Sequence, residues 1–151
     1  MDHTNFSNNE NVKLVQRWVD ASNAHNPELI GETLHSDYEY VFADTSFKGK
    51  ENAIREWKIF FEGFPDFKYE VQQIIADGDC VVAKLRMTGT QSGPFRFEGM
   101  HSLNDPIPVS NKPIDIPTCS LFYIKDEKII LLERYWDSAT LLRQIGVIDK
   151  W

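Results

Sequence analysis

The period of the apolar residues changes along the chain. Val12, Val15, Trp18 and Val19 recur three and four residues apart, which is one face of a helix. Ser7-Asn8-Asn9-Glu10 in front of them has the S/T-x-x-E form of a capping box, so the spacing predicts a helix from there to about Ala24. Asn26-Pro27 starts a second helix, with Asn as cap and Pro at the first helical position. Its buried side is Leu29, Ile30 and Leu34. In "DYEYVFAD" the period falls to two. Tyr38, Tyr40 and Phe42 take one face and Glu39, Val41 and Ala43 the other, as in a strand. A third helix, about Glu51 to Glu62, carries Ile54, Trp57, Phe60 and Phe61; "GFPDF" ends it, because Pro cannot continue a helix.

The second half alternates almost throughout. Phe67, Tyr69 and Val71 form one strand face. Asp77-Gly78-Asp79 is a hairpin turn. Val81, Ala83, Leu85 and Met87 then share a face, and Phe95 to Leu103 reads as a further strand. "NDPIPVSNKP" is a Pro-rich loop. Residues 114–124 and 128–136 make a last strand pair around Asp126-Glu127. Ile116, Thr118, Ser120 and Phe122 share one face of the first; Ile130, Leu132, Arg134 and Trp136 share one face of the second. Asp137 or Ser138 caps a short helix that stops at Gly146. Helices followed by a long antiparallel meander make an α+β domain, with a curved sheet wrapped around helices. A pocket belongs between the concave sheet face and the helices.

The chain has 151 residues, one domain's worth, and no repeat or long linker divides it. Residues 1–6 read as disordered. The net charge of −7 comes without any dense Lys/Arg cluster, which argues against nucleic acid and anionic membrane partners. No apolar run marks a signal peptide or a membrane span. Cys80 and Cys119 have no CxxC or zinc-type spacing. They read as reduced core residues of a cytoplasmic protein, with a disulfide between neighbouring strands left open. No pair of the four histidines has metal-ligand spacing, so no metal is expected. Aromatics reach 13%, enough to fill a core and to wall an apolar pocket.

Several stretches together resemble the SnoaL-like polyketide cyclases, within the nuclear transport factor 2 and ketosteroid isomerase superfamily. They are "LHSDYEY", "GKENAIREW", "FEGFPDFKYEVQQIIADGDCVVAKLRMTGTQSGPF", "YIKDEKIILLERYWD" and "LLRQIG", spread over about residues 10 to 146. The resemblance implies a cone-shaped fold. About six antiparallel, highly curved strands wrap three N-terminal helices, and a short C-terminal helix follows. It also implies frequent homodimers, and in the cyclases an aldol-type ring closure run by protein groups without a metal or redox cofactor. On the family's pattern Arg134 stands where the acid/base carboxylate lies, and Ser120 at its partner position. Arg is a cation at neutral pH and cannot be a general base.

The expected catalytic positions are therefore Arg134, Asp137 and His101. The expected pocket residues are Trp18, Tyr38, Tyr40, Trp57, Phe61, Thr118, Ser120 and Trp136. Asp137 also fits a helix cap, and His101 a structural histidine. Three functions remain open. The first is a cofactor-independent cyclase or isomerase acting on a partly apolar carbonyl or ester. The second is a non-catalytic binding module that clamps a carboxylate with Arg134. The third is a dimeric interaction module using the outer sheet face with Lys84 and Arg86. An acid or His in the cavity favours the first; Arg134, Ser120 and Thr118 as its only polar groups favour the second.

Overall fold

A computed structural model describes residues 9–96 and 106–149. In chain order they form α1 (Glu10–Asn23), α2 (Pro27–Glu32), β1 (Leu34–Phe42), β2 (Thr45–Lys48), α3 (Lys50–Gly63), β3 (Lys68–Asp77), β4 (Cys80–Thr90), β5 (Pro113–Lys125), β6 (Lys128–Tyr135) and α4 (Ser138–Gln144). The strands make one curved, open sheet in the order β2-β1-β6-β5-β4-β3. It is antiparallel except at one seam, where β1 runs parallel to β6 with Tyr40 opposite Leu132 and Phe42 opposite Arg134. The sheet is therefore mixed rather than purely antiparallel.

Helix starts follow side-chain chemistry. Asn9 caps α1, its side chain accepting from the Asn11 and Val12 amides. Its carboxamide satisfies amides that a first helical turn leaves open. The cap is thus Asn9; Ser7 lies outside the described residues. Asn26 caps α2 ahead of Pro27. Gly49, at φ +95°, turns the chain into α3 without a side-chain cap. Asp137 caps α4, accepting from the Ala139 amide.

Leu14, Val15 and Trp18 of α1 share one continuous core with Val81, Leu85, Ile116 and Phe122 of the sheet. The Trp18 ring meets Phe122 edge-on at 5.0 Å and stacks on Tyr69 at 5.6 Å.

Local readings change as well. β2 is a short strand that the pattern does not predict; it hairpins on β1 through Ala43, which adopts φ +53°. Of the strand expected over Phe95 to Leu103, the described residues are Phe95, which pairs with Ile107 in a bridge, and Arg96; residues 97–103 lie outside the described residues. A bulge between Tyr123 and Ile124 leaves Ile130 unpaired and turns Ile129 inward in its place. Val71 opposes buried Leu85 but is 41% exposed, because β3 is an edge strand with no neighbour on its far side. The cysteines are free. They sit half-buried on the outer sheet face, beside Val82 and Lys84, rather than in the core.

Candidate functional site

The inner sheet face and the helices enclose a cavity of about 130 Å³. α1 contributes Trp18, and β1 contributes Tyr38, Tyr40 and Phe42 on its inward period. α3 adds Ala53, Glu56, Trp57 and Phe60, which are three and four residues apart and so share one helix face. Tyr69, Met87 and Leu132 complete the walls, with Trp136 just beyond the end of β6.

Arg134 is the cavity's buried cation. It is 8% exposed, held inward by the same alternation that buries Leu132. One Nη donates to the Tyr69 hydroxyl at 2.5 Å. Nε is buried without a hydrogen-bond partner, and so is Oγ of Ser120, which faces Arg134 across the β5–β6 ladder. Among the described residues no carboxylate forms an ion pair with Arg134.

Burial pushes the phenols of Tyr38 and Tyr40 up, and that of Tyr69 up to about 12. The Arg134 charge pulls each of them back without overcoming the loss of water. All three hydroxyls are therefore protonated donors at neutral pH. Burial disfavours the Arg134 cation, whereas ionisation of Tyr69, Tyr40 and Tyr38 would favour it, so its pKa moves upward only in the alkaline range where those phenols titrate. The group stays charged.

Glu56 supplies the carboxylate that the strand pattern lacks. Its Oε1 is buried, and its side chain is 23% exposed, 3.8 Å from the Arg55 Nε. Tyr40 senses both charged groups. Arg134 favours its ionised form, by charge and by hydrogen bonding, and Glu56 opposes it. A carboxylate, a fixed cation and protonated phenols thus share one apolar chamber, the parts needed to move a proton and hold a developing oxyanion.

The expected residues divide clearly. Trp18, Tyr38, Tyr40, Trp57, Arg134 and Trp136 line the cavity. Phe61, Thr118 and Ser120 do not. Phe61 turns aside to stack on His25 at 4.5 Å, because it sits one position past the cavity-facing Phe60. Thr118 donates to the Leu85 carbonyl at 3.4 Å. Ser120 is wholly buried. Asp137 is a cap rather than a cavity group: it accepts from the Thr140 hydroxyl at 2.7 Å and lies 3.3 Å from Arg143. His101 lies outside the described residues. Sequence reasoning missed Glu56, Tyr69 and Arg96 as cavity residues. Glu56 had a signal, since it falls on the Ala53–Phe60 stripe of α3.

Among the described residues, no group of three or more His, Cys, Asp or Glu is placed to hold a metal ion. Likewise no described helix is long and apolar enough to cross a membrane.

Similar proteins agree with this architecture. A candidate SnoaL-like polyketide cyclase of Jannaschia sp. CCS1 superposes with a TM-score of 0.79 at 28% identity, covering 93% of this chain and 94% of its own. TsrD of Streptomyces laurentii matches at TM-score 0.77 and 21% identity, over 98% of this chain and 99% of its own. AclR of Streptomyces galilaeus, a candidate hydroxylase, matches at 0.76 and 20%, over 94% and 84%. The last two are likenesses of fold alone. No curated protein matches the chain significantly. The model of the SnoaL-like polyketide cyclases matches residues 12–145, and the chain belongs to that family.

Proposed function

We propose that the protein binds a mid-sized, partly apolar carbonyl compound and enolises it without a cofactor, leading to ring closure or isomerisation. Glu56 takes a proton from the carbon beside the carbonyl. The C–H electron pair moves into the C–C bond, and the carbonyl oxygen becomes an enolate. Arg134 and the hydroxyls of Tyr69 and Tyr40 donate to that oxygen, in a chamber where such donors act strongly because water is excluded. The enolate carbon then attacks a second carbonyl of the same molecule, whose oxygen takes the proton from Glu56 as the first carbonyl re-forms; in an isomerisation the enolate instead takes that proton back at another carbon. The observation that carries this reading is the presence of Glu56 and Arg134 in one aromatic cavity, with Tyr40 sensing both.

The test is proton exchange in D₂O, followed by NMR at the α-carbon of 2-tetralone. The protein should accelerate exchange, and Glu56→Gln should lower that acceleration about a hundredfold, within the usual range for general acid–base catalysis. Exchange by Glu56→Gln at the parent rate would remove Glu56 as the base.

A second reading keeps the cavity and drops the chemistry: Arg134, which pairs with no described acid, clamps a ligand carboxylate in a binding module. Binding without exchange would select it. We also propose that the protein works as a homodimer in a reducing cytoplasm. Exposed Ile75 and Tyr135, with Val82 and Pro117 beside them on the outer sheet face, support the dimer, and the two free thiols suit the compartment. Sedimentation at micromolar concentration would decide the oligomer; a pure monomer would reject it.

A further inference from the structure

Among the described residues, the ionisable side chains with formal charge at the cavity are Glu56, Arg96 and Arg134. With Glu56 ionised they leave one positive charge in excess, in a chain whose net charge is −7. That local reversal of sign favours an anion inside. The two arginines occupy different depths. Arg134 is buried among the tyrosines, whereas Arg96 lines the cavity yet is exposed, which places it at the mouth.

The backbone that carries Arg96 is anchored. Phe95, next to it, is 2% exposed and packs on Phe64 at 5.2 Å and Phe60 at 5.7 Å. Phe95 and Ile107 exchange backbone hydrogen bonds of 3.2 and 2.7 Å. Among the described residues none forms an ion pair with Arg96, and a guanidinium fork matches a carboxylate two-pronged.

We infer that the ligand is a monoanionic acid with an aromatic or conjugated body, whose carboxylate is held by Arg96 at the mouth while its enolisable carbonyl reaches Arg134. This rests on the enolisation reading and adds the substrate class. A carboxylate at the mouth keeps part of its water, so the desolvation cost is smaller there than at the floor. The carbonyl, neutral until the proton moves, takes the inner end beside Arg134.

Trp18, Trp57 and Trp136 line the cavity, so intrinsic fluorescence reports occupancy. The probes are 2-naphthoate and 2-acetylnaphthalene, similar in shape and differing in charge. The parent protein should bind naphthoate about tenfold more tightly, the scale of one charge-assisted contact. In Arg96→Gln the ratio of the two dissociation constants should fall toward one. In Arg134→Gln the ratio should persist while both compounds weaken. A parent ratio near one overturns the inference. So does a ratio that survives Arg96→Gln and vanishes in Arg134→Gln, which would seat the carboxylate at the floor. Exchange on 2-tetralone, which has no carboxylate, separates the two ideas. An Arg96-dependent preference without exchange retains the acid site and rejects enolisation; exchange without the preference does the reverse.

Discussion

Replacing Arg134 with Met should destroy the protein's chemistry while costing it little stability. A guanidinium at 8% exposure has lost most of its water, and no described carboxylate pairs with it. The effective cost of burying such an ion is several kcal/mol before any compensation. Compensation comes chiefly from the hydrogen bond to the Tyr69 hydroxyl, roughly 1.5–3 kcal/mol for a charged donor, with Tyr40 and the Tyr69 ring face, 5.5 Å from the guanidinium carbon, adding less, while Nε has no partner. Met has a similar reach, no charge, and fills an aromatic cavity well. The substitution strands the Tyr69 hydroxyl, which costs roughly 1–3 kcal/mol if it stays dry. It also removes a positive charge from the neighbourhood of Glu56, worth under about 1 kcal/mol for a side chain that still reaches water. These terms nearly cancel, so the melting temperature should stay within roughly 4 °C of the parent's for a chain of this size. Adding Tyr69→Phe removes the stranded hydroxyl and should recover about 1 kcal/mol. Urea unfolding followed by tryptophan fluorescence reads this directly. If Arg134→Met unfolds at much lower urea with an unchanged slope, the guanidinium is well paired in the free protein. The functional argument built on its unmet demand for an anion would then fail.

Two further perturbations follow from the geometry. A Cβ on Gly93 would lie 1.9 Å from the Glu62 carbonyl oxygen, so Gly93→Ala should cost roughly 1–3 kcal/mol in urea unfolding. It should also weaken naphthoate binding, because Gly93 leads into Phe95 and Arg96; unchanged stability would mean that this close approach relaxes freely. The Asp137 carboxyl is held below its ordinary 3.8, chiefly by the Thr140 hydroxyl, then by the Ala139 amide and the Arg143 charge. A depressed folded-state pKa gives stability that is full above the unfolded value and lost as pH falls through the folded one. Parent and Asp137→Asn should therefore differ in melting temperature at neutral pH and converge below about pH 3.8; a constant gap across that range would refute the cap's charge dependence.

Much of the fold is legible because local and tertiary demands coincide. Asn26-Pro27 starts a helix on its own chemistry, and the alternation of Tyr38, Tyr40 and Phe42 needs only one face to be buried. β2 escapes because its four residues are too few to establish a period, and its partner, β1, defines it. Ile130 misleads because a bulge is set by the neighbouring strand, not by the residue that bulges. The site divides in the same way. Arg134 and the β1 tyrosines are readable from alternation. Thr118 and Ser120 are correctly placed on the inward face of β5, but alternation says nothing about whether an inward residue meets a cavity or packed side chains. Glu56 escapes the apolar pattern because it is charged and stands beside Arg55, although its helical phase matches Ala53 and Phe60.

The parallel seam between β1 and β6 governs when the chamber can exist at all. The Lys128 ammonium caps the Glu32 carbonyl 96 residues earlier in the chain, and the Ile129 amide bonds the Thr33 carbonyl beside it. During synthesis the N-terminal helices and β1 emerge long before β6. Until β6 arrives, one edge of β1 has no hydrogen-bond partner, and Tyr38, Tyr40 and Phe42 lack the strand that carries Arg134. Such distant pairing makes folding slow, since the entropy of closing a long loop is lost before any contact repays it. The waiting intermediate exposes aromatic side chains and an open strand edge, the features that invite aggregation. Ribosome pausing within the meander would therefore lengthen the chain's most vulnerable interval.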